Sequence, residues 1–283
     1  MRRLESIGQI QKLGSALIVT AALVAVMAAA EPVSVRHTEG NLRGFVVLST
    51  LDNKLLADGD VMQTIGGDRV TTRLTFRFKD GSTHEETTVY SQRDQLKLIS
   101  NRVVQKGPSF PRPLEMTVEG TGQATVRYKD ERGADQNEVH HFAVPADLAN
   151  GIVPKLLMNA RREAMPQSFS LMAATPNPRM VKLLVNQVGR EQFTIGGSPR
   201  EAMHYVLKVE VGGVAGVLAP LVGKQPPDAH VWIATGEVPV FVRAEQPFYV
   251  GGPVWRIDLA SPTWSAPGPA TAKASDGKRR PPA

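Results

Sequence analysis

Six histidines, a Gly-Gly-Ser turn and several paired acids are the residues of this chain whose types could support chemistry. His84, Glu85 and Glu86 stand side by side, as do His140 and His141. Both runs read as strands, in which neighbours point to opposite faces, so neither run can aim its groups at one ion. Zinc proteases need two His on one helical face with a Glu beside them, and no H-E-x-x-H occurs. A site built from His141, His204 and His230 on separate strands has no local support, so neither metal nor cofactor is expected. Serine hydrolases carry Gly-x-Ser-x-Gly, and the nearest string, Gly196-Gly197-Ser198-Pro199, lacks the final Gly and reads as a turn. Gly66-Gly67-Asp68 reads likewise, and Asp58-Gly59-Asp60 has too few oxygen ligands for a calcium loop and reads as a hairpin connection. No phosphate-cradling Gly-x-x-x-x-Gly-Lys-Ser/Thr is present. Glu85 with Glu86, and Glu115 with Glu119, look like solvated strand charges, and Arg256 and Asp258 sit two apart on one strand face as a surface ion pair. Nothing here requires catalysis, and no catalytic residue is assigned.

The elements that would hold such groups are read from the rest of the chain. Its 283 residues include no Cys, which excludes a disulfide framework, a thiol nucleophile and a lipid-modified Cys. The formal net charge is +6, but +2 lies in Met1–Ala30 and +3 in Ser265–Ala283, leaving +1 on residues 31–264. A nearly neutral body lacks the clustered cations that a nucleic-acid surface needs.

Arg2, Arg3 and Lys12 precede 18 uncharged residues, Leu13–Ala30, that end in Ala28-Ala29-Ala30 before Glu31. That order is the secretory signal-peptide pattern, with cleavage after Ala30 and no membrane span in the mature chain. An uncleaved anchor is the alternative, since 18 residues reach the lower limit of a spanning helix. An exported chain without Cys points to a soluble periplasmic protein, expected as a monomer.

From about Leu42 the hydrophobic pattern has period two. In Arg69–Lys79, Val70, Leu74, Phe76 and Phe78 share one face and Arg69, Arg73, Arg77 and Lys79 the other, which is a half-buried strand. Asp80-Gly81 then predicts a type I′ hairpin. His84–Ser91 returns as a polar strand expected near a sheet edge or a wetted surface. The same grammar recurs in Gly122–Asp130, in His204–Val211 and in Trp255–Leu259, so the fold class is mainly β: one large antiparallel sheet curled into an open or incomplete barrel. Asp147–Ala160 breaks the period and predicts one short helix, with Asp147 as its N-cap. Val211–Gly223 carries no charge and reads as a strand end followed by a buried Gly-rich connection, or as an apolar contact surface. Residues 31–264 thus form a single β-rich domain, and 265–283 a disordered basic tail rich in Pro and Ala.

The strings A-P-L-V-G-K-Q-P-P-D-A-H-V-W (Ala219–Trp232), Y-V-G-G-P-V-W-R-I (Tyr249–Ile257) and D-L-A-N-G (Asp147–Gly151) resemble a family of uncharacterised exported β-rich proteins of Gram-negative and related bacteria. The resemblance covers most of Glu39–Pro262 and brings no catalytic residues with it. A sheet curled around a helix is also similar in outline to the periplasmic lipoprotein-carrier fold. Phe76, Phe78, Tyr205, Leu207, Trp232, Trp255 and Ile257 are the candidate lining of the dry face. If the helix fills the concavity they are core; if it does not, they line a site for an apolar envelope ligand such as a lipid. Binding or carrying such a ligand is the leading expectation. A structural or accessory protein of envelope assembly, using Val214–Val222 and the sheet edges, is the alternative.

Overall fold

The computed structural model describes residues 32–161, 165, 167–195, 197–210 and 226–260, and places 262–264 as a strand. The proposed leader, the Val211–Gly223 segment and the basic tail lie outside the described residues. The elements are β1 (Leu42–Thr50), β2 (Leu55–Gly66), β3 (Arg69–Phe78), β4 (Thr83–Gln92), β5 (Leu96–Lys106), β6 (Leu114–Glu119), β7 (Gln123–Lys129), β8 (Asp135–His141), α1 (Val153–Asn159), β9 (Gln167–Met172), β10 (Met180–Ile195), β11 (Ser198–Glu210), β12 (Ala229–Ala234), β13 (Val240–Pro247), β14 (Val254–Leu259) and β15 (Pro262–Trp264).

Alternation of apolar and polar residues makes each strand one-sided, and the strands bury that side together in one 15-stranded sheet. Its order is β15-β10-β11-β12-β13-β14-β1-β2-β3-β4-β5-β6-β7-β8, with β9 also paired to β10. The pairings between these strands are antiparallel, and β1 is zipped to β14, with Val46 opposite Leu259 and Thr50 opposite Trp255. Two meanders are thereby joined into one surface. Among the described residues β8 pairs only with β7, so the sheet is not closed.

The sheet is nevertheless strongly curled. β13 and β5 are six places apart in it, which would separate them by about 29 Å if it were flat. Yet Gln105 Nε2 of β5 donates to the carbonyl of Phe248, the residue after β13, at 2.6 Å. The one helix among the described residues and the turns before it lie inside the curl. Leu148, Ile152, Leu156 and Leu157 join Val46, Leu48, Phe76, Leu98, Val185 and Val231 in one core.

Several sequence expectations are corrected. The hairpin at Asp80-Gly81 forms, but Gly81 (φ +84°) has a positive φ and Asp80 does not; Gly81 N donates to Phe78 O. That is a type I turn with a left-handed Gly, not type I′. Asp58-Gly59-Asp60 is no connection: it lies within β2, where the missing Cβ of Gly59 admits the Phe76 ring, whose atoms would approach an added Cβ to 2.6 Å. Asp147 does not cap α1, whose N-cap is Ile152 with Pro in the first turn. Arg256 and Asp258 do not pair with each other; Arg256 binds Glu245 at 2.7 Å and Asp258 binds Arg243 at 2.6 Å, because cross-strand neighbours are closer than residues two apart along a strand. The polar strand β4 is not at an edge, and only its outer face is wetted, where Glu85 pairs with the exposed Arg73 at 3.2 Å. It lies between β3 and β5, and His84, Thr88, Tyr90 and Gln92 face the interior and are buried.

Candidate functional site

The inward polar row of β4 is where the molecule departs furthest from an ordinary core, and most of its polar groups meet side chains of β5 or the chain segment around Glu39. At one end, Gln92 takes the backbone of Glu39, accepting from its N–H at 2.6 Å and donating to its carbonyl at 3.2 Å. Glu39 Oε2 in turn accepts from Gln63 Nε2 at 2.9 Å and Lys155 Nζ at 2.8 Å, a largely buried ion pair that ties α1 to the N-terminal segment.

In the middle, Asn101 Nδ2 donates to Glu86 Oε1 at 2.8 Å and to Thr88 Oγ1 at 2.9 Å. Burial pushes the Glu86 carboxyl pKa up, against the opposing Asn101 hydrogen bond. Gly151 (φ +70°) rests on this trio: an added Cβ would lie 2.1 Å from Thr88 Oγ1 and 2.5 Å from Asn101 Nδ2. The D-L-A-N-G string therefore has a structural meaning. Asp147 accepts from Ser170 Oγ and Lys182 Nζ, each at 2.8 Å. Asn150 both donates to Met172 O at 2.9 Å and accepts from Met172 N at 2.8 Å. The string fastens the inserted segment to β9 while its glycine allows contact with β4 and β5.

At the other end the row meets aromatic rings. His84 packs against Phe248 at 4.8 Å between ring centroids, and Phe76 meets Phe248 at 5.7 Å. Trp255 lies 5.4 Å from Phe78, 5.3 Å from Phe248 and 6.2 Å from both Phe110 and Tyr249. Most of these contacts are tilted or edge-to-face, the arrangements ring quadrupoles favour. Phe248 and Tyr249 come from the β13–β14 loop, which folds over the cluster. Its turn is closed by Gly252 N donating to Tyr249 O at 3.0 Å, with Gly251 at φ +78°. Gln105 Nε2 holds the loop through Phe248 O and also lies 3.2 Å from His84 Nδ1. That contact makes Nδ1 the acceptor, so the ring is neutral with its proton on Nε2. Burial agrees, pulling the His84 pKa down to about 4.

Of the seven proposed lining residues, Phe76, Phe78, Tyr205, Leu207, Trp255 and Ile257 belong to the main core, and all are buried. Phe76, Phe78 and Trp255 meet in the ring cluster. Trp232 lies apart, in a second cluster with Phe193, Ala202 and Val242. There it stacks on His204 at 4.3 Å and 9°, with Arg243 over its ring at 5.9 Å. Phe110, Phe248 and Gln105 escaped the sequence reading, which weighed His84 only as a metal ligand and met Tyr249 only within the Y-V-G-G-P-V-W-R-I string. Phe248 and Tyr249 precede a Gly-Gly-Pro, which marks a loop, and only the curl brings that loop over β3–β5.

The His set divides similarly. His204 Nε2 and His230 Nδ1 are 2.9 Å apart, and His204 Nδ1 is 3.0 Å from Glu191. His141 sits on β8 at the far end of the sheet order. Among the described residues no group of three or more His, Asp or Glu could hold a metal ion. Beside the inserted segment, Pro32, Leu96, Leu148, Leu156 and Phe169 border a cavity of about 10 Å³, smaller than any organic ligand.

No family model matches the chain, and no curated protein matches it. Among solved structures it is similar to a crystal structure of a β-barrel-like protein of the domain of unknown function DUF1849 from Brucella abortus, with 10% identity over 84% of this chain and 100% of that chain and a TM-score of 0.44.

Proposed function

We propose that this is an exported protein of the bacterial envelope that acts by binding and not by catalysis, as a structural or accessory partner in assembly. The observation that carries this reading is the filled interior. The inserted segment and α1 pack into the main core on the concave side, while Gln92 of β4 holds the Glu39 backbone and Gln105 of β5 holds the β13–β14 loop. A carrier of an acyl chain would need hundreds of Å³ there. What is left for contacts is the outside and the edge: Phe45 is 61% exposed beside the Asp60–Arg77 pair, and Val139 is 53% exposed on the edge strand β8.

The test uses photo-crosslinking side chains placed at Phe45, Val139 and Val217 in cells, with fractionation and N-terminal sequencing of the exported chain. A discrete cross-linked protein from at least one position, on a chain beginning at Glu31, is the expected result. Only free monomer from all three positions, together with an apolar molecule released by solvent extraction, would replace this reading with ligand carriage. That second reading is favoured by one specific feature, the ring cluster under the β13–β14 loop.

A further inference from the structure

Gln105 is 1% exposed and its carboxamide ends among the rings. Both Nε2 hydrogens are engaged, one by the Phe248 carbonyl and one by His84 Nδ1. Its Oε1 is buried and has no donor among the described residues. Turning the amide over would set Oε1 against a carbonyl oxygen, so the orientation is fixed by its neighbours. Native interiors leave few such acceptors unmatched, and each asks for a donor. The amide touches the neutral His84 ring and the Phe248 carbonyl, and Phe76, Phe110 and Trp255 pack around the rings of those two residues.

The cover is a short loop carrying consecutive glycines. Its tip, Val250, is 55% exposed, and one side-chain hydrogen bond, from Gln105, ties it to β5. Lifting Phe248 and Tyr249 with that loop uncovers the remaining rings without breaking a strand pairing.

We infer that the cluster is a closed binding site for a small planar apolar molecule bearing one hydrogen-bond donor. The rings hold its faces, and Gln105 Oε1 accepts its donor. This deepens the second reading above, ligand binding at the ring cluster, by naming the class of molecule and its acceptor, and it rests on the β13–β14 loop lifting and not on the contact function.

The probe is N-phenyl-1-naphthylamine, two ring systems joined through a single N–H, compared with its N-methyl analogue, which lacks the donor. Each is titrated into the full chain labelled with 5-fluorotryptophan, whose three tryptophans, Trp232, Trp255 and Trp264, report separately by fluorine NMR. Trp255→Phe assigns the central resonance. The Trp255 signal should move while Trp232 and Trp264 hold still, and the N–H compound should bind about tenfold tighter than its analogue. In Gln105→Met the Trp255 response should persist with the preference reduced to within about twofold. Silence at Trp255 up to the solubility limit, equal affinity for the two probes, or a preference that survives Gln105→Met would each overturn the assignment. The wild-type comparison stands alone should Gln105→Met not fold.

Discussion

Gly151 is the point at which the inserted segment touches the sheet, and replacing it by Ala perturbs two separable quantities. The residue sits at φ +70°, where a Cβ costs about 1–2 kcal/mol. The new Cβ would also lie 2.1 Å from Thr88 Oγ1, 2.5 Å from Asn101 Nδ2 and 2.9 Å from Glu86 Oε1. Thr88 and Asn101 are buried and hydrogen-bonded to each other, so they cannot swing into solvent. Overpacking of that kind adds about 1–3 kcal/mol, for roughly 2–5 kcal/mol in all. At about 2–4 °C per kcal/mol for a domain of this size, Tm should fall by roughly 4–20 °C. Gly133→Ala provides the reference: its φ is +78° with no atom within 4 Å of the added Cβ, so it carries the backbone cost alone. Gly59→Ala carries the packing cost alone, against Phe76 and Val46. Thermal and urea unfolding of the three variants, with Thr88→Ala added to Gly151→Ala, checks the division. Thr88→Ala should destabilise the wild type but restore part of the loss in Gly151→Ala. If Gly151→Ala loses no more than Gly133→Ala, the segment does not press against β4 and β5, and the interior is not filled at that point.

Three further outcomes follow from the same geometry. Lys155→Met leaves the largely buried Glu39 carboxylate without its cation and should cost roughly 2–3 kcal/mol by urea unfolding, recovered in good part by adding Glu39→Gln; Arg77→Ala, on an exposed pair with Asp60, should cost less than about 1 kcal/mol. His84 has its pKa lowered from 6.5 to about 4 by burial, so between those values the unfolded chain takes up a proton that the folded chain does not. Stability contributed by the neutral ring is therefore intact above pH 7 and falls by roughly 3 kcal/mol on acidification to pH 4. His84→Phe should flatten that part of the Tm-against-pH curve, and a parallel curve would show that the ring titrates freely. Asn150→Ala removes both bonds to the Met172 backbone and should raise amide hydrogen exchange at Met172 and its β9 neighbours, while exchange in β2 and β3 stays unchanged.

Local chemistry in this chain determined the strands. Apolar residues at Val70, Phe76, Phe78, Tyr205, Leu207, Trp255 and Ile257 recur with period two, and all are buried in the folded protein, because a strand can turn only one of two faces inward. Turn residues such as Gly67 and Gly81 marked strand ends for the same local reason, their positive φ. Position within the sheet was not legible in the same way. His84–Ser91 has the composition of an edge, and it is internal to the sheet because β3 and β5 pair with both of its sides and Asn101 of β5 and the backbone of Glu39 bring polar partners to the inner face of β4. Trp232 has the alternation of a lining residue but lies in a separate cluster, and Phe110 and Phe248 join one site from loops 138 residues apart in the chain. Periodicity specifies which residues share a face; what that face meets is set by pairing order and curl, which arise from contacts between residues far apart in sequence.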